Sequence, residues 1–228
     1  MKCIANFLSL RKLNLRIMKK FLTGIFIIAA ILFCYAVYAD NDILRTIVKP
    51  IPLILLLFMI KPNSTYNKLI FIGFIFSLAG DVFLMKVIDQ FMFGLIAFLI
   101  AHVFYIIAFV KRNNRLKILS AIPFYVIAGL LAVFFAQYTG DMTIPVIVYI
   151  TVIITMAWRA YIQRNYSGIS KFAFFGAFLF VLSDTNIAFT KFYEDYDFSE
   201  IVTIVLYWSA QYLIAKSVGS FYLENKPL

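Results

Sequence analysis

The feature that most constrains this chain is its series of long apolar runs separated by short charged or proline-containing breaks. Runs such as Phe21 to Ala39 and Phe91 to Val110 are each close to the ~20 residues that a helix needs to cross ~30 Å of hydrocarbon. Taken against the breaks, the sequence predicts spans at 21–39, 44–60, 67–86, 91–110, 116–136, 142–162, 171–191 and 200–221. The fold class is therefore all-α, a polytopic membrane bundle of about eight transmembrane helices. Composition agrees, since 64% of the 228 residues are hydrophobic and only 14% are charged, a balance that a soluble globule does not reach. Breaks such as Lys61-Pro62-Asn63-Ser64 leave no room for a soluble domain, so function is expected inside the membrane. The expected organisation is a basic tail at 1–20, one transmembrane domain at 21–221 and a short tail at 222–228.

A net charge of +10 on a soluble protein would suggest nucleic acid, but here the charge follows the spans. Alternate breaks are rich or poor in Lys and Arg, and 17 of the 21 basic residues fall on one side. That is the positive-inside pattern; it predicts cytoplasmic N- and C-termini, a multi-pass protein of the cell (inner) membrane, and membrane lipids rather than nucleic acid as partners. The acidic residues Glu194, Asp195, Asp197 and Glu200 then fall in the last outer loop. The basic stretch Lys2 to Lys20 reads as a topology signal attracted to the lipid surface. Met18-Lys19-Lys20 before an apolar run ending Val37-Tyr38-Ala39 resembles a signal peptide, but the run exceeds the usual 7–15 residues of a signal core, so the first helix is expected to be retained. Cys3 and Cys34 have neither the spacing nor the company of a disulfide or metal site.

Ionisable groups at mid-membrane are costly and usually functional. Asp81, Asp184 and His102 lie deep in their spans, with Lys49 nearer the outer boundary. The two aspartates share a context: Gly73 and Gly176 each precede an Asp by eight residues, and Lys68 and Lys171 each precede it by 13. At 1.5 Å per residue both carboxyls lie roughly 20 Å from the basic side. Spans three and seven run in the same direction, and the following spans offer Ala101-His102 and Ala210-Gln211. This suggests a 4+4 internal repeat, which would bring the aspartates face to face. Two close carboxyls rarely both ionise at neutral pH, and Lys49 at similar depth would neutralise one. The plainer reading is that the aspartates hold the bundle together and that His102 is a buried imidazole bonded to Tyr105 or a neighbour.

These segments resemble the lysoplasmalogenase (YhhN-like) membrane family. The resemblance is carried, in order, by Val48-Lys49-Pro50, Phe76-Ser77-Leu78-Ala79-Gly80-Asp81, Phe93-Gly94-Leu95 with Ala101-His102 and Tyr105, Phe180-Val181-Leu182-Ser183-Asp184, and Tyr207 through Ala210-Gln211-Tyr212. It extends from about residue 45 to 217; the basic extension before Met18 departs from it. The resemblance implies hydrolysis of the vinyl ether bond of lysoplasmalogens, giving a fatty aldehyde and glycerophosphoethanolamine or glycerophosphocholine, with a lysophospholipid as substrate. Enol ethers are cleaved by protonation at carbon and attack of water on the resulting oxocarbenium ion, which calls for one acid and one anion. Asp81 and Asp184 are the catalytic candidates. Lys49 and His102 would tune them or, for Lys49, meet the lipid phosphate, while Tyr105, Ser183, Asn186, Tyr207 and Gln211 would orient water and headgroup. No metal and no cofactor are expected. Two rival classes suit the same residues: a proton-coupled transporter, and a non-catalytic membrane protein on the same fold.

Overall fold

The computed structural model describes the backbone of residues 2–218 and the side chains of Met18 and of residues 20–218. The expected tail at 222–228 and the last residues of the expected span 200–221 lie outside the described residues. Nine α-helices follow one another among the described residues: α1 (Lys2–Tyr38), α2 (Asp42–Val48), α3 (Ile51–Met59), α4 (Thr65–Phe83), α5 (Phe91–Arg112), α6 (Ile122–Ala136), α7 (Thr143–Gln163), α8 (Ser170–Phe192) and α9 (Ser199–Lys216), with short 3₁₀ turns before α6 and α7. Among the described residues six segments are long and apolar enough to cross a membrane: 20–38, 65–83, 91–112, 118–136, 140–163 and 170–192.

Two of the expected spans differ from that form. The span expected at 44–60 is two helices, because Lys49 closes α2 and Pro50, which has no N–H to continue the ladder, opens α3. The last span carries Glu200 in its first turn and Lys216 in its last, and α9 has 18 residues. Pro52, Pro123 and Pro145 interrupt nothing, since each lies in the first turn of its helix, where the N–H has no intrahelical partner. The stretch expected as a tail at 1–20 is not separate from the first span: α1 starts at Lys2 and runs through it.

Each helix turns one stripe inward and leaves the rest for lipid. In α1, Ala29, Phe33 and Ala36 are buried while Ile27, Ile28 and Ile31 are exposed, a spacing of three to four residues that marks one face. The interior is aromatic, with Phe33 edge-on to Trp208 at 5.3 Å and Phe98 edge-on to Tyr207 at 5.7 Å. Gly73 and Gly176 lie at close helix crossings. A Cβ on Gly73 would overlap the Tyr105 ring of α5, and one on Gly176 would come within 2.7 Å of the Ala210 carbonyl of α9. Small residues at such crossings let helices approach where lipid offers no hydrophobic drive.

The two ends of the bundle have opposite charge. At one end, buried Arg45 bonds the carbonyls of Ala36 (3.2 Å) and Val37 (2.8 Å) and pairs with Asp40 and Asp42, tying α2 to the close of α1. At the other, the Arg112 guanidinium stacks on Tyr66 at 3.2 Å and donates to the Ser217 carbonyl at 3.0 Å. The polar constellation lies between these ends, nearer the acidic one.

Candidate active site

Asp81 sits in the last turn of α4, and both Asp81 and Asp184 of α8 are buried. They line one chamber of about 50 Å³, together with Lys49, Glu200, Thr203 and Tyr207 and with Phe33, Phe98 and Leu84 as apolar walls. Five helices, α1, α4, α5, α8 and α9, bring these groups together, and a break in the chain completes the set. Because α2 stops at Lys49, its side chain reaches across to donate to the Leu84 carbonyl at 3.1 Å. That carbonyl belongs to the C-cap of α4, where unpaired acceptors and the negative end of the helix dipole favour a cation. The ammonium is thereby held three residues beyond Asp81.

Each carboxylate is held by a tyrosine from a different helix. Tyr207 of α9 donates its hydroxyl to Asp81 Oδ2 at 3.0 Å, and Tyr149 of α7 donates to Asp184 Oδ2. His102 Nε2 lies 3.9 Å from the same Asp184 oxygen. The imidazole is fully buried and packs edge-on against Phe180 at 4.7 Å and Tyr149 at 5.4 Å, and neither ring nitrogen has a hydrogen-bond partner among the described residues. Tyr105, the partner expected for His102, donates instead to Gln211 Oε1 at 3.1 Å and bonds Ser77 at 3.2 Å. Tyr105 and Gln211 thus form a buried polar layer beneath the chamber rather than part of its lining.

Ser183 and Asn186 are used differently. Ser183 donates to the Thr203 carbonyl at 3.1 Å, and Asn186 donates to the Ser199 carbonyl at 3.1 Å and the Thr203 hydroxyl at 2.8 Å. Both are ties between α8 and α9. Their effect on the site is to fix Thr203 and the first turn of α9, which presents Glu200.

The chamber opens in two chemically unlike directions. Towards the acidic end it shares Lys49, Glu200, Thr203 and Ile187 with a vestibule of about 350 Å³ that also carries Lys86, Lys191, Asp89 and Asp195. On the other side it shares Asp184, Phe98, Leu84 and Ile187 with a slot of about 50 Å³ whose remaining walls include Leu95, Leu131, Ile150, Val181 and Phe192. A molecule with a charged head and an apolar chain therefore has a place for each part, and the atoms between them would lie against the two carboxyls.

Tyr149, Glu200 and Thr203 were not among the residues singled out by sequence. Tyr149 is one of 14 tyrosines, and only depth could have marked it. It lies six residues into α7 and Asp184 eight residues from the end of α8, so both are roughly 10 Å below the same face. Glu200 reads as part of an acidic outer loop, yet it is the first-turn acid of α9, placed after a turn in which Phe198 takes a left-handed conformation at φ 64°.

Comparison with known proteins places the chain in a family. The profile of the YhhN family matches residues 44–218, which include α4, α5, α8, α9 and the α2–α3 break that line the chamber; α1, which contributes Phe33, lies outside the match. Lysoplasmalogenase TMEM86A of Bos taurus is 35% identical over 156 residues, 65% of this chain and 64% of that protein. The Homo sapiens TMEM86A protein is 33% identical over the same shares, and lysoplasmalogenase TMEM86B of Sus scrofa is 29% identical over 209 residues, 88% of this chain and 87% of that protein. The chain thus spans slightly under two thirds of the TMEM86A relatives it matches. No solved structure matches. From the matched span and these relatives, the chain belongs to the YhhN family.

Proposed function

We propose that this protein is a lysoplasmalogenase that hydrolyses the vinyl ether bond of a lysophospholipid within the membrane. The observation that carries the proposal is the two carboxyls lining one small chamber between a charged vestibule and an apolar slot. The vestibule, with lysines and carboxylates together, suits the phosphate and ammonium of a zwitterionic headgroup. The slot takes the proximal carbons of the alkenyl chain.

In the proposed reaction Asp184, which lines both chamber and slot, gives a proton to the vinyl carbon farther from oxygen. The double-bond electrons form that C–H bond and leave an oxocarbenium ion at the carbon bonded to oxygen. Asp81, beside the Lys49 ammonium, stabilises the cation and takes a proton from the water that attacks it. The resulting hemiacetal passes its hydroxyl proton to the ether oxygen as the C–O bond breaks, giving the aldehyde and a glycerophospho-alcohol. The proton held by Asp81 returns to Asp184, so the net consumption is one water. Tyr207 and Tyr149 fix the carboxylate rotamers, and His102 buttresses Asp184.

The same reading covers the membrane arrangement. We infer eight crossings, with α2 and α3 together making the second and α9 the last, and both termini on the basic, cytoplasmic side of the cell membrane. The glycine crossings at Gly73 and Gly176, each eight residues before its aspartate, support the 4+4 repeat. The vestibule then faces the outer side.

The test is aldehyde release from a lysoplasmalogen by the purified full chain and by D81N and D184N, each checked for folding by elution profile and thermal melting. Loss of about 10²-fold or more in both is expected; near-parental release by folded variants of both would remove the carboxylate mechanism. The broken α2–α3 span favours a second reading, because discontinuous helices frame the sites of many carriers. Substrate uptake by proteoliposomes without aldehyde release would select that reading.

A further inference from the structure

A cavity of about 860 Å³ lies at the end of the bundle away from the carboxyl chamber, between the α5–α6 linker and the α7–α8 loop. Its lining carries Lys111, Arg112, Arg115, Lys117 and Arg164 and no carboxylate. Nor does any acid approach from elsewhere among the described residues. Asp40, Asp42, Asp89, Asp141, Glu194, Asp195, Asp197 and Glu200 all belong to the loops and helix starts of the opposite end, and Asp81 and Asp184 to the chamber.

Clustering of basic loops alone would be a topology signal. Here, however, the positive groups line a built concavity. Arg112 is clamped by Tyr66 and the Ser217 carbonyl, and Arg164 stacks on Tyr161 at 3.5 Å while donating to its carbonyl at 2.7 Å. Arg159, 3% exposed, holds the linker itself by donating to the carbonyls of Asn113 (2.6 Å) and Arg115 (3.1 Å). Asn113 in turn donates to the Ile162 carbonyl at 3.2 Å, closing the linker onto α7. Against this fixed wall Lys111, Arg115 and Lys117 have exposed side chains. Immediately beside them Leu116, Ile118 and Leu119 are 72%, 73% and 83% exposed and form an apolar ledge.

We propose that this cavity is a binding site for the phosphate headgroup of an anionic membrane lipid, whose chains lie along the Leu116–Leu119 ledge. Clamped guanidiniums give directed donors to phosphate oxygens, and the exposed lysines and Arg115 close over them. The site is separate from the carboxyl chamber and is independent of the reaction proposed there.

The experiment is native mass spectrometry of the purified full chain from micelles containing equal amounts of phosphatidylglycerol and phosphatidylcholine with the same chains. Retention of phosphatidylglycerol over phosphatidylcholine by about tenfold is expected, and R115Q/K117Q should remove that preference. The charge-matched pair K68Q/K171Q, exposed at the same end but outside the cavity lining, should keep it. K111Q alone should lose part of it, which preserves the test if the double variant does not fold. Equal losses from the two pairs would reduce the effect to diffuse surface attraction and overturn the site. Displacement of the lipid by millimolar inorganic phosphate would overturn the lipid assignment in favour of a free anion.

Discussion

Asp81 in α4 and Asp184 in α8 each follow a glycine by eight residues, yet their surroundings differ in kind. Asp81 takes its hydroxyl from Tyr207 and shares its chamber with the Lys49 ammonium, which is anchored at the end of α4. Asp184 takes its hydroxyl from Tyr149, has the unpaired His102 ring beside it, and also lines the apolar slot. The difference comes from other parts of the chain: Lys49 from the break between α2 and α3, Tyr149 from α7. Two equal carboxyls would make a poor acid–anion pair; unlike neighbours make these two unlike.

The sharpest test of this asymmetry removes each neighbour in turn. Lys49→Met deletes the charge beside Asp81 and should lower kcat for aldehyde release by about 10²-fold, since the anion then lacks its counter-charge in a dry site. Tyr149→Phe removes one hydrogen bond to Asp184 while keeping the ring and should cost about tenfold. Rates read on purified, folded variants check both. A larger loss from Y149F than from K49M would invert the assignment and make Asp184 the charged partner.

Much of the framework could be read in the sequence because membrane insertion is governed by local apolarity. The long helical runs and the two aspartates within them come from patterns inside single spans. What could not be read are relations set by packing between spans. Ser183 and Asn186 flank Asp184 and look like site residues, but helical geometry turns them towards α9, where they hold Thr203 and Ser199. Glu200 is distant in sequence from both aspartates and joins them only because α9 starts beside the chamber. The break at Lys49-Pro50 was visible as a proline; its consequence, a lysine freed to reach the end of α4, needed the fold.

The slot gives the next prediction, smaller because it concerns binding rather than chemistry. Val181 lines the slot but not the carboxyl chamber. Val181→Phe fills space on Asp184's side of the pair and should raise KM for a long-chain lysoplasmalogen by about tenfold with little change in kcat. A short-chain analogue should be affected less. An equal rise for both chain lengths would mean that the chain does not lie in the slot, and the asymmetry between the two carboxyls would lose its apolar half.

The smallest effect is expected at Ser183, adjacent in sequence to Asp184. Its hydroxyl bonds the Thr203 backbone carbonyl, and that carbonyl keeps its helical hydrogen bond when the side chain is shortened, so Ser183→Ala removes one interhelical bond and leaves no new charge unpaired. Such bonds in membrane proteins average about 0.6 kcal/mol. Aldehyde release should therefore stay within about twofold of parental, with a slightly lower melting temperature as the only mark. Asp184→Asn, one residue along, changes a single atom and should abolish most turnover. Should S183A instead cost as much as D184N, the hydroxyl would be acting on water or substrate, and the division between groups that tie the helices and groups that face the chamber would have to be redrawn.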